Sequence, residues 1–137
     1  MRKTTLAVAV AGLGLMLAGT AASLSAHHAF AAEFDSKKPM LFKGKVTKME
    51  WINPHVWIHI AVDNKGKAEE WMVEGGAPTV LFRRGFSKTS LAAGTEIVVD
   101  GYAAKDGTNK MNGREVTFAD GRKMFVGSTG TGSPEEK

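Results

Sequence analysis

His55-Val56-Trp57-Ile58-His59-Ile60-Ala61-Val62 is the stretch on which the fold turns. Val56, Ile58, Ile60 and Val62 take alternate positions, and His55, Trp57, His59 and Ala61 fill the places between them. Side chains of a strand point alternately to its two faces, so a period of two predicts a strand over 55–62 with one apolar face in a core. Asn53-Pro54 ahead of it is a turn signal. Asp63-Asn64-Lys65-Gly66-Lys67 behind it is a hairpin loop with a glycine where positive φ is needed.

Working outward, Phe42, Gly44 and Val46 alternate with Lys43, Lys45 and Thr47, and the large apolar residues then change phase to Met49 and Trp51. That shift predicts a β-bulge in a bent strand, as a small barrel requires. A third strand is expected over Ala68–Glu74, with Glu69, Glu70 and Glu74 on a solvated rim. Gly75-Gly76 ends it, Pro78 opens a short helix to Arg84, and Gly85 stands where a helix stops. Arg83-Arg84 reads as its solvated end. Leu91 is the buried residue of a following turn, and Thr95–Ala104 is a fourth strand. Lys105–Asn109 is a polar loop. Arg114–Ala119 and Lys123–Val126 form a hairpin across Asp120-Gly121, expected as type I′. The predicted fold is all-β with one short helix, a small OB-like barrel of five to six strands. An immunoglobulin-like sandwich would need more strands and no helix at this point.

The chain opens with Arg2 and Lys3, then an apolar Ala- and Gly-rich run from Leu6 to Ala22 and small residues up to Ala26. This is the pattern of an export signal cut after Ala26 or Ala22, with no stable membrane span afterwards and a periplasmic or secreted product. The expected organisation is a signal at 1–26, an arm at 27–39, the barrel at 40–127 and a disordered tail at 128–137. Loss of Arg2 and Lys3 leaves 16 basic and 14 acidic residues, interspersed along the chain. Nucleic acid is therefore not an expected partner, since that needs clustered positive charge. The absence of cysteine excludes disulfides, thiolate zinc sites and cysteine nucleophiles.

His27-His28-Ala29-Phe30-Ala31-Ala32-Glu33-Phe34-Asp35 and Glu50-Trp51-Ile52-Asn53-Pro54-His55-Val56-Trp57 resemble the corresponding blocks of an uncharacterised exported bacterial family, a domain of unknown function. Leu91-Ala92-Ala93-Gly94-Thr95-Glu96-Ile97 and Ala103-Ala104-Lys105-Asp106-Gly107 fit the same pattern. The resemblance implies a small exported β-protein and no assigned activity. A weaker similarity to the periplasmic haem chaperone of cytochrome c maturation fails at the end of the chain, where neither His nor Tyr follows the last strand.

All four histidines fall in two places, His27-His28 and His55/His59. If the chain is cut after Ala26, His27 offers its α-amine and imidazole to one metal ion, and one more imidazole completes a three-nitrogen set suited to copper. His55 and His59 share a strand face but lie about 13 Å apart, so at most three of the four histidines can serve one ion. Met40, Met49, Met72, Met111 and Met124 are too scattered for a thioether site. A second reading uses the face around Trp57 for a small ligand or a periplasmic protein, with Trp51 and Trp71 in the core. No nucleophile motif or coherent acid/base set is present, so a binding module is expected and not an enzyme.

Overall fold

The structure, a computed structural model, describes residues 29–128 and Thr131. Its strands are β1 (Phe34–Glu50), β2 (Trp57–Asn64), β3 (Lys67–Glu74), β4 (Glu96–Ala104), β5 (Lys110–Phe118) and β6 (Lys123–Phe125). The helix α1 (Pro78–Arg83) lies between β3 and β4, and residues 29–33 make a helical turn ahead of β1. The sheet order is β3-β2-β1-β4-β5-β6, and β3 also pairs with β5. Five strands thus close into a barrel-like ring, with β6 attached outside it. The β3–β5 pairing is parallel and the others are antiparallel. The fold is mostly β, as the alternation predicts.

The face of 55–62 read as core is core. Val56, Ile58 and Ile60 are fully buried and Val62 nearly so. They meet Val46, Val73, Val99, Met111 and Val116 inside the ring, while Leu81, Phe86 and Leu91 add to the same cluster from the β3–β4 connection. Each such side chain contributes about 1.5–3 kcal/mol by leaving water. The phase change in β1 is a bulge: Val46 faces Ile60 and Lys48 faces His59, leaving Thr47 as the extra residue. Met49 thereby regains the core side. Trp51 and Trp71 also pack on the core, against Phe86 and Phe42 respectively.

The helix ends as its sequence predicts. Gly85 has φ 83°, its N–H donates to Phe82 O, and Phe86 N–H donates to Leu81 O, both at 3.0 Å. These are the two bonds of a Schellman motif. Arg84 departs from expectation: it is half-buried, donates from Nη1 to Gly127 O at 2.6 Å and stacks over Phe125.

Other boundaries differ for identifiable reasons. Strand begins at Phe34, within the expected arm, because buried Phe34 pairs with Ala104. β2 begins at Trp57, although alternating burial extends back to His55. β5 begins four residues early, at Lys110, where it meets β3. The β5–β6 loop is not type I′. Gly121 alone has positive φ there, its N–H reaches Phe118 O at 3.0 Å, and Phe118 N–H reaches Arg122 O. That is a three-residue loop with glycine at its left-handed position. Of the expected tail, Thr131 is buried and donates to Ser128 O at 2.6 Å. The export signal, His27 and His28 lie outside the described residues.

Closure demands glycine beside the seam. A Cβ on Gly101 would run into the Asn112 carbonyl, and one on Gly113 would sit 2.5 Å from Val73 Cγ1. Gly101→Ala is expected to cost roughly 3 kcal/mol by overpacking. Urea unfolding should show a lower midpoint with an unchanged slope, and an unaltered midpoint would mean that the seam yields freely.

Candidate functional site

Parallel pairing of β3 with β5 sets Glu74 opposite Asn112. Both are buried, at 7% and 2% exposure. Just past β3, Gly75 N–H donates to Val56 O at 2.8 Å and Val56 N–H donates to Gly76 O at 3.0 Å. This pair of bonds ties the start of the second strand segment to the end of the third. It brings His55 beside Glu74, with Nδ1 2.9 Å from Oε1. Ala29, Phe30 and Glu33 of the helical turn, with Phe34 and Ser128, complete a cleft of about 80 Å³ around His55, Glu74 and Asn112.

The cleft has acceptors in excess. Burial pushes the Glu74 carboxyl up to about 7, the charge of Glu33 adds to that, and Lys110 opposes it. Asn112 Oδ1 is buried with no hydrogen-bond partner among the described residues. An unmet buried acceptor costs about 1–3 kcal/mol. Glu74, which the sequence places on a solvated rim with Glu69 and Glu70, is instead buried. Its burial follows from ring closure, which covers the end of β3 with β5 and the arm.

The two strand histidines have different surroundings. His59 has Nε2 3.0 Å from Glu50 Oε2 and Nδ1 3.1 Å from Glu70 Oε1, so both ring nitrogens are engaged. Hydrogen bonds from Lys48 and then His59 hold the Glu50 carboxyl below its ordinary range. His59 therefore links β1, β2 and β3 through side chains and has no nitrogen to spare. His55 has Nδ1 against Glu74 and no partner on Nε2 among the described residues. A histidine with one nitrogen held by a carboxylate and the other open is the usual arrangement of a metal-binding imidazole.

Of the histidines singled out in the sequence, the two described ones, His55 and His59, do not form one cluster. His55 and His59 sit in separate settings, and no group of three or more His, Asp or Glu able to hold a metal occurs among the described residues. Trp57 is half-exposed and pairs with Glu50 and Glu74 across the sheet, but it does not line the cleft. Glu74 and Asn112 were missed. The signal for Glu74 was its place between Val73 and Gly75-Gly76; nothing local marked Asn112.

The raised carboxyl has a consequence for stability. Folded protein keeps the Glu74 proton up to about pH 7, whereas the unfolded chain releases it near 4.5. Unfolding therefore releases a proton between those values, and stability falls as pH rises through that window before levelling off. Glu74→Gln, which resembles the neutral acid, should lack this fall. Its advantage over wild type should grow by up to roughly 3 kcal/mol from pH 4.5 to 8, measured by urea unfolding. Parallel pH profiles for the two proteins would contradict the raised carboxyl.

No curated protein and no solved structure matches this chain. A family model does match, over residues 14–113, a span that takes in the arm, the ring as far as Gly113, and both His55 and Glu74. The chain belongs to DUF6152, a family of unknown function.

Proposed function

We propose that this protein is an exported metal-binding module, acting in the periplasm or outside the cell, whose ion is copper. The observation that carries the reading is His55, oriented by buried Glu74 and open at Nε2, in a cleft bordered by Ala29. Residue 27 is two peptide units from Ala29, a span of at most roughly 7 Å. A chain cut after Ala26 would offer a terminal amine and an imidazole within reach of the same cleft. His28 is the alternative arm donor. With His55 Nε2 the set becomes three nitrogens without sulfur, which suits copper(II). A metal-bound amine retains N–H bonds, which answers the acceptor left open on Asn112 Oδ1. The order of strands round the ring, with α1 after the third, supports an OB-type barrel as the scaffold.

The size of the cleft supports an ion over an organic ligand. About 80 Å³ is well below the roughly 300–1,000 Å³ of small-molecule pockets. The ligand set contains no general base or nucleophile arranged against a substrate position, which favours binding over catalysis.

The test uses protein exported and processed by the cell, with its N-terminus read by mass spectrometry. Start at His27 is expected, and a start at Ser23 would remove the terminal-amine site. Copper(II) titration should give tight binding that weakens by on the order of 100-fold in His27→Ala and in His55→Ala. Glu74→Gln should lose about 10–100-fold through a misdirected His55. His59→Ala should bind as wild type. Equal affinity in wild type, His27→Ala and His55→Ala would overturn the reading and turn attention to the Trp57 face.

A further inference from the structure

The arm is fastened to the barrel by contacts that involve none of the nitrogen donors it would deliver. Phe30 lies 5.9 Å from Phe34, ring centre to ring centre, and meets Tyr102 edge-on at 5.6 Å. Lys105, just past the end of β4, holds the same turn twice: its Nζ donates to Ala31 O at 2.5 Å, and its backbone N–H donates to Glu33 O at 2.8 Å. A short helical turn leaves its last carbonyls without partners of its own, and these two bonds supply them. Of Phe30, Tyr102 and Lys105, only Phe30 lines the cleft, and its side chain has no ligand atom.

We infer that Phe30, Tyr102 and Lys105 are positioning residues for the metal site, holding residues 29–33 so that the chain ahead of Ala29 begins at the rim of the His55–Glu74 cleft. This inference rests on the metal reading above. The physical basis is preorganisation. A loose five-residue tether would have to be ordered at each binding event, whereas a turn already docked on Tyr102 and Lys105 is ordered when the protein folds. The aromatic contact fixes the position of the turn along β1 and β4. Lys105 fixes its rotation by gripping two carbonyls. A purely structural role for these contacts would alter stability and leave copper affinity where it was.

The test titrates copper(II) into processed wild type, Phe30→Ala, Lys105→Met, Lys105→Arg, Tyr102→Phe, His27→Ala and His55→Ala, with near-ultraviolet circular dichroism and urea midpoints taken alongside. Phe30 and Lys105 lie outside the ring strands, so the barrel should keep its midpoint in their variants. Phe30→Ala and Lys105→Met are expected to lose about 10-fold or more in affinity. Tyr102→Phe keeps the ring edge and Lys105→Arg keeps a cationic donor, so both should return to within about 3-fold of wild type, a margin well inside the range of outer-shell effects. Binding as in wild type by both Phe30→Ala and Lys105→Met, with His27→Ala defective, overturns the positioning role and leaves the metal site standing. Undiminished binding by His27→Ala, together with undiminished binding by His55→Ala in the same titrations, overturns both.

Discussion

The parallel pairing of Met72–Glu74 with Lys110–Asn112 is the constraint on which the molecule depends. Without it the sheet is open, and Val73 and Met111, both fully buried, lose their shared cover. Its position is also costly, because the same three register pairs carry Glu74 and Asn112 out of water. A seam made only to close a barrel would favour apolar residues at those places, since a buried polar group is tolerated only when its hydrogen bonds are met. Here one carboxyl is driven towards its neutral form and one amide oxygen goes unmet among the described residues. Local departures from good packing practice of this kind concentrate at functional sites. The seam is thus both the closure of the fold and the floor of the cleft.

Much of this was legible locally. Alternation over 55–62 specified a core face, because a slip of one residue would have put four β-branched side chains into water. The phase change after Val46 specified the bulge, and Gly85 specified the helix end. What escaped was non-local. Lys110, Asn112 and Gly113 do not look like a strand, since two are polar and the third has no side chain. They become one because β3 stands beside them, a relation between residues nearly forty positions apart that no window of sequence contains. The loop at Asp120-Gly121 failed for a smaller reason: the dipeptide suits positive φ at both residues, yet only Gly121 adopts it, and the third loop residue relieves the strands.

The histidines show the same division between local and non-local information. His55 and His59 have the same spacing signal and lie on the same side of the alternation, so sequence treated them alike. Their partners separate them. His59 sits between carboxylates on the two flanking strands, Glu50 of β1 and Glu70 of β3. His55 lies before the ladder begins, where a backbone bridge through Val56 and Gly75 sets it against one carboxylate only. The geometric objection to a shared ion, the length of strand between them, is reinforced by this chemistry.

Charge gives the last link between seam and arm. The groups facing the cleft include two carboxyls, Glu33 and Glu74, and the uncompensated oxygen of Asn112. Lys110 lowers the cost at Glu74 without overcoming burial. Lys105 has its Nζ turned to the Ala31 carbonyl. The cleft is therefore short of positive charge and of N–H donors in the described residues. A cation bound through nitrogen ligands supplies both at once, and it would let Glu74 release its proton while still directing His55. Closure of the ring creates that deficit, and the role proposed for the docked arm is to deliver what meets it.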